Sequence, residues 1–290
     1  MNQVTNLLRL MRPRQWVKSC FVLTGILFAN AWRQPQMAQR VLLAAVAFSL
    51  AASGVYIIND LIDRPHDLNH PSKKQRPLAA QTISLRAAVS LLIVLLLAAF
   101  GLGFFVSNKV VIILLIYVLV NIAYSLHLKH VVILDVFIIA SGFMLRILAG
   151  TVGVGIAPSQ WLLLCGLMMA LFLGFAKRRA ELYAMNDEGP THRRVLGHYQ
   201  PVLLDHMIIV TATCVILSYS LYTMSPTTMQ THHTESLIYT VPFVIYGIFR
   251  YIYSLHRQSA GGDPALQIFR DPHLLLAIVG WLLVTLWLIA

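Results

Sequence analysis

The chain has 290 residues, of which 58% are hydrophobic and only 11% charged. Soluble domains carry about twice that charged fraction, so a water-soluble globule is excluded in favour of an all-α, polytopic membrane protein. The net charge of +11 does not mark a nucleic-acid binder, because most of it falls on one side of the implied membrane topology. Cys20, Cys165 and Cys214 lie far apart in apolar runs, a pattern that makes neither a disulfide framework nor a metal site.

A membrane-crossing helix needs about 20 apolar residues. Nine runs approach that length, at 15–31, 40–58, 87–106, 110–126, 131–154, 160–176, 203–224, 236–254 and 273–289. They predict nine spans around a central cavity, in one membrane-embedded domain covering residues 1–290. The first run is the weakest, because Lys18 interrupts it. Arg9, Arg12, Arg14 and Lys18 before an apolar stretch ending in Ala29-Asn30-Ala31 also fit a signal peptide with its cleavage site. A first membrane helix is favoured over that alternative, since the remaining spans orient consistently with it. With the N-terminus in the cytoplasm, 18 of the 22 Lys and Arg lie on the cytoplasmic side, leaving Arg33, Arg40 and Lys109 outside and Arg146 within the fifth run. Ten of the 11 acidic residues share that side, with Glu235 the exception. The positive-inside rule does not ask for acids there, so polar chemistry is expected on the cytoplasmic face of a multi-pass inner-membrane protein.

The densest polar stretch is residues 59–77, directly after the second span. Asp60, Asp63 and Asp67 are three and four residues apart, which puts their carboxylates on one face of a continuing helix. Like charges at that spacing repel unless a cation sits among them. Mg²⁺ suits the role, taking a few carboxylate oxygens and keeping other positions for substrate phosphate. Pro65 predicts a kink or stop near residues 62–64, with Asp67 reaching the ion from a loop. Lys73, Lys74 and Arg76 follow between two prolines, and together with the carboxylates they read as a phosphate clamp. His66 and His70 are further phosphate donors without a neighbour that makes either a catalytic base.

At these residues the sequence resembles the UbiA superfamily of intramembrane prenyltransferases. Its Asn-Asp-x-x-Asp-x-x-x-Asp motif is matched by Asn59, Asp60, Asp63 and Asp67. The likeness is strongest to the branch that makes decaprenyl-phosphate phosphoribose. It extends through His70-Pro71-Ser72-Lys73-Lys74-Gln75-Arg76-Pro77, Tyr124-Ser125-Leu126-His127-Leu128-Lys129, Asp135 and Ser141-Gly142-Phe143-Met144-Leu145-Arg146. A second Asp-rich motif, usual in the aromatic prenyltransferases of the superfamily, is replaced by Gly174-Phe175-Ala176-Lys177-Arg178-Arg179-Ala180-Glu181. That departure suits a site meeting two anionic substrates with more positive charge and fewer metals.

Asp135 and Arg146, charges within or at the edge of the fifth span, should face the bundle interior. Eleven residues separate them by about 16 Å along the axis, which excludes a direct pair; Arg146 either binds a phosphate or neutralises a buried acid. Lys177 and Glu181 share a helix face, so a helix pair is an alternative to substrate binding there. Tyr124 reads equally as an interfacial aromatic, and His232-His233 as loop.

The resemblance implies transfer of 5-phosphoribose from phosphoribosyl diphosphate to a polyprenyl phosphate. In that reading Asp60, Asp63 and Asp67 hold Mg²⁺, while Asn59, Lys73, Arg76, Tyr124, Lys129, Asp135, Arg146, Lys177, Arg178 and Glu181 contact substrates. Prenyl transfer to an aromatic acceptor is the alternative within the family, and a membrane transporter the alternative from another class. The membrane and the two phosphate substrates are the expected partners, with no nucleic acid; a homo-oligomer is left open.

Overall fold

The computed structural model describes residues 3–28, 34–68, 73–188, 194–257 and 271–289. Among these every regular element is helical. Eight helical segments are long and apolar enough to cross a membrane. The chain divides into two compact units, Met1–Pro158 and Ser159–Ala290.

The first unit is built on one long helix. It opens with α1 (Gln3–Met11), a 3-10 helix (Pro13–Leu23) and α2 (Thr24–Phe28), followed by α3 (Pro35–Asp67), α4 (Leu85–Val106), α5 (Asn108–Leu126) and α6 (Leu134–Gly150). The first predicted span, 15–31, is therefore not a continuous α-helix, and it is the one of the nine that the eight α-helical spans lack. A 3-10 helix rises about 2 Å per residue, so Pro13–Phe28 covers about 30 Å in fewer residues than an α-helix needs. Ala29-Asn30-Ala31, where a cleavage site was an alternative, lies outside the described residues.

Small residues put α3 at the centre of this unit. Ala44, Ala47, Ala51, Ala52, Ser53 and Gly54 are buried on it, and such side chains let neighbouring backbones approach where apolar burial alone gives membrane helices little drive to associate. Against them pack α4, α5, α6 and the 3-10 helix, around a core that includes Phe48, Leu114 and Tyr117. The N-terminal segment sits equally close to α6. A Cβ on Gly150 would meet the Val22 backbone carbonyl, and one on Gly25 would meet that of Gly150. Ser107 joins α4 to α5: its hydroxyl accepts the Val110 amide, capping α5, and donates to the Gly153 carbonyl.

The second unit contains α7 (Gln160–Glu188), α8 (Pro201–Met224), α9 (Pro226–His232), α10 (Val241–Arg257) and α11 (Pro272–Ile289). Helix α7 packs along α8, and α10 along α11. Proline opens α8, α9 and α11, where its missing amide costs nothing. The run predicted at 236–254 begins as a 3-10 turn, Ser236–Thr240, before α10. A buried polar knot holds this unit together: Trp281 Nε1 donates to the Tyr219 hydroxyl (2.7 Å), which also meets Thr240 Oγ1 (2.7 Å). An apolar groove of about 430 Å³, lined by Pro242, Phe243, Tyr246, His273, Leu276 and Ala277, carries none of the predicted site residues.

Candidate active site

Helix α3 does not stop at Pro65 but runs through it to Asp67. Proline removes the amide that would donate to Leu61, yet only two helical residues follow it, and the Leu68 amide closes the end on the Arg64 carbonyl. The expected loop position of Asp67 is thus corrected: all three carboxylates belong to one helix. They continue a polar seam at alternating four- and three-residue spacing, Ser49, Ser53, Tyr56, Asp60, Asp63 and Asp67, the spacing that keeps side chains on one face.

The upper part of the seam holds the N-terminal segment. Ser19 and Ser49 hydroxyls meet at 2.9 Å, Trp16 Nε1 donates to Ser53 Oγ (2.9 Å), and Ser53 Oγ donates to the Met11 carbonyl (2.9 Å). These contacts bring Arg12 to the level of Tyr56 and Asp60. Its guanidinium lies 5.0 Å from the Tyr56 ring centre, and Nη2 donates to Asp60 Oδ1 at 2.5 Å. In the sequence Arg12 stands as a cation of the membrane topology, or of the signal-peptide alternative. Its role at the carboxylates depends on a contact 48 residues away, which no local pattern signals.

Arg76 joins the outer two acids. Its Nη1 donates to Asp60 Oδ1 (3.0 Å) and to Asp67 Oδ2 (2.8 Å). Lys129 Nζ donates to Asp63 Oδ1 at 2.5 Å. Asp60 and Asp67 are almost wholly buried, whereas the Asp63, Arg12 and Arg76 side chains keep roughly a quarter of their surface in the open. Three carboxylates therefore face three cations drawn from three separate segments, and the expected repulsion along the helix face is relieved by Arg and Lys. Among the described residues no three His, Cys, Asp or Glu converge as ready metal ligands. The donor chemistry nonetheless fits Mg²⁺, a hard ion that takes carboxylate oxygens, provided these cations give up their places.

Asn59, beside the seam, accepts from Ser125 Oγ (3.1 Å) and so ties α3 to the end of α5. Lys129 follows in a short 3-10 turn, Leu128–His130. Between it and α6, Ile133 has φ 69° and ψ −48°, with the Leu134 amide donating to the Val132 carbonyl (2.8 Å). This γ-turn is a strained conformation for a β-branched residue. It sets Lys129 on Asp63 and Asp135 in the first turn of α6, where Asp135 is fully buried. Tyr124 is half-buried on α5, and His66 is exposed on α3. The Lys73 side chain and His70 lie outside the described residues.

Among the described residues Arg146 pairs with no acid. Its guanidinium donates to the Gly142 carbonyl (2.8 Å) and the Tyr117 hydroxyl (3.0 Å), and lies 5.0–5.7 Å from the ring centres of Phe48, Tyr117 and Phe143. Aromatic faces attract a desolvated cation, which stabilises this charge where lipid surrounds the protein. Arg146 thereby links α3, α5 and α6 well away along the axis from the carboxylates.

In the second unit Arg178, fully buried, pairs with Glu181, while Lys177 is half-buried beside them. Arg179 takes a different partner. Its Nε donates to Asp205 Oδ1 (2.5 Å) and Nη1 to the Leu255 carbonyl (3.2 Å), joining α7, α8 and α10.

The family model of the UbiA prenyltransferase family matches residues 19–271. The chain belongs to that family. It is 32% identical, over 97% of its length and 91% of theirs, to the decaprenyl-phosphate phosphoribosyltransferase of Mycolicibacterium smegmatis. The protein of that name from Corynebacterium glutamicum is also 32% identical, covering 97% of this chain and 85% of its own. Among solved structures, a UbiA homologue from Archaeoglobus fulgidus bound to DMAPP and Mg²⁺ superposes with a TM-score of 0.72 at 18% identity, over 98% of this chain and 99% of that one. The chain thus shares the UbiA fold and is a multi-pass membrane protein by its apolar helices and family.

Proposed function

We propose that this UbiA-family protein transfers 5-phosphoribose from phosphoribosyl diphosphate to a polyprenyl phosphate at the cytoplasmic face of the inner membrane, releasing diphosphate. The observation that carries the reading is the balanced cluster of Asp60, Asp63 and Asp67 with Arg12, Arg76 and Lys129, in a chain 32% identical to decaprenyl-phosphate phosphoribosyltransferases. Carboxylates alone would repel both substrates, and cations alone would hold no metal; the cluster supplies both.

In this reading Asp60, Asp63 and Asp67 hold Mg²⁺, which when bound supplies a positive centre for the departing diphosphate. Arg76 and Lys129 serve the phosphate oxygens, aided by Lys73 and Asn59. On the second unit Lys177 and Arg178, oriented by Glu181, are proposed as further phosphate-binding residues. Tyr124 and Asp135 contact the ribosyl substrate. Arg146 supports the site by fixing α3 against α5 and α6, in place of a direct phosphate contact.

The reaction breaks the bond from the ribose anomeric carbon to the diphosphate oxygen and forms one to an oxygen of the lipid phosphate. Positive charge develops on the anomeric carbon while negative charge accumulates on the leaving diphosphate, where preorganised cations are worth most. The attacking phosphate monoester is already anionic, so no strong general base is needed, consistent with His66 standing exposed on α3. The polyprenyl tail remains in the bilayer, and the whole chain acts as one membrane-embedded catalyst.

Membranes containing the protein, given [¹⁴C]phosphoribosyl diphosphate, polyprenyl phosphate and Mg²⁺, are expected to move label into the organic phase. Label that stays aqueous overturns the proposal. Label entering an aromatic acceptor from a radioactive prenyl diphosphate instead would establish prenyl transfer.

A further inference from the structure

We propose that Arg12 is a substrate-phosphate residue held in reserve on Asp60. Without substrate its guanidinium occupies the carboxylate; on loading it passes to a phosphate oxygen and leaves Asp60 to the divalent cation. The inference rests on the metal-binding reading above and adds a residue and an order of events to it.

The first support is redundancy at Asp60. One oxygen, Oδ1, accepts from both Arg12 (2.5 Å) and Arg76 (3.0 Å). A buried carboxylate stripped of its only cation would be strongly disfavoured, but departure of one partner here leaves the other in place. Arg12 is the partner that leaves more easily. Arg76 is also bound to Asp67 (2.8 Å), whereas among the described residues Arg12 is paired with Asp60 alone.

The second support is how Arg12 is mounted. Its backbone sits between α1 and the 3-10 helix at φ 53° and ψ 59°, a conformation that L-residues avoid. Neighbours pin it there through the Met11 carbonyl and Trp16, both hydrogen-bonded to Ser53. The long side chain lies over the Tyr56 ring (5.0 Å), whose face attracts the cation. About a quarter of that side chain is open, against 2% for Asp60. An incoming phosphate thus reaches the guanidinium before a cation reaches the carboxylate.

The third support is charge. Among the described residues three acids are paired with three cations, so a bare divalent ion must compete with them for the carboxylates. Once phosphate oxygens draw a cation away, an acid becomes available to the metal. Substrate and metal should therefore favour each other's binding, and equally so in both directions.

The test measures Mn²⁺ binding to the full chain in nanodiscs by electron paramagnetic resonance, without substrate. Arg12→Gln should tighten Mn²⁺ binding about tenfold, a coupling typical of linked sites. In saturating Mn²⁺ the same variant should bind phosphoribosyl diphosphate about tenfold more weakly. Arg12→Lys, keeping charge with a single ammonium, should fall between Arg12→Gln and wild type in both assays. Unchanged or weakened Mn²⁺ binding in Arg12→Gln overturns the proposal and makes Arg12 a structural staple. If Asp60→Asn weakens Mn²⁺ binding while Arg12→Gln does not alter it, the metal reading stands and the reserve role alone falls. If neither Asp60→Asn nor Arg12→Gln changes it, both fall.

Discussion

At the C-terminal end of α3 three acids share three cations, with Asp60 bound to two of them and Arg76 to two of the acids. Around Arg179 in the second unit the arrangement is closer to one-to-one: a buried guanidinium meets Asp205 at 2.5 Å and a backbone carbonyl at 3.2 Å. Both regions pair buried charge, yet they differ in what happens when a partner leaves. In the shared cluster Asp60 keeps Arg76 when Arg12 leaves, so Arg12 can be exchanged for a ligand, while Asp67 and Asp63 each lean on one cation, Arg76 and Lys129. At Arg179 the alternatives are weaker: His256 Nε2 stands 3.6 Å from Asp205 Oδ1, and Arg179 without Asp205 keeps the Leu255 carbonyl and the Tyr183 ring. Redundant pairing marks a site, and single pairing a staple across three helices.

The largest expected effect separates these two directly. Asp60→Asn should lower phosphoribosyl transfer by about a thousandfold or more, as loss of a metal ligand does, with thermal unfolding little changed because Arg76 keeps Asp67. Retained turnover, or collapse of the fold, would put Asp60 with the staples. Next comes Arg179→Ala, which should cost on the order of 3 kcal/mol of stability, read as a lower melting temperature in detergent, with turnover per folded molecule within about twofold of wild type. A turnover loss at unchanged stability would instead move Arg179 into the site.

Smaller effects sharpen the same contrast. Gly150→Val pushes a side chain against the Val22 carbonyl and should cost about 2 kcal/mol through overpacking. It should also reduce transfer, because the displaced segment carries Arg12; a change in melting alone would detach that segment from function. The smallest concerns Asp271, another one-to-one pair, with Arg250 at 2.7 Å. Burial pushes its carboxyl up, but hydrogen bonds from Arg250 and from the Leu274 and His273 amides outweigh that and hold it below its usual 3.8. A depressed folded value stabilises above the unfolded value and is lost as pH falls through the folded one. The melting difference between wild type and Asp271→Asn should thus be full at pH 7 and shrink on acidification below about pH 4. A difference that stays constant across that range would show that the pair does not hold the carboxyl ionised.

Much of this was legible in the chain. Apolar runs located six of the eight α-helical spans to within about three residues, since lipid requires each one to satisfy its own backbone. The spans Pro35–Asp67 and Gln160–Tyr183 extend well beyond the runs at 40–58 and 160–176. The spacing of Asp60, Asp63 and Asp67 foretold a shared face, and the helix is more regular than Pro65 suggested, because a proline two residues from a helix end sacrifices one hydrogen bond and little else. The N-terminal run, expected as a first membrane helix, forms a 3-10 helix followed by a short α-helix, a difference that hydropathy does not register.

The sequence by itself determined the class, the helical spans and the acids around which the site is built, because these follow from local composition and periodicity. Only the tertiary structure decided which cations stand against those acids. Arg12, Arg76 and Lys129 lie 48, 16 and 66 residues from their partners, and their meeting depends on small residues along α3, the Ser53 and Ser49 anchors and the strained turn at Ile133. Long-range pairing of this kind is set by packing, and no spacing along the chain records it.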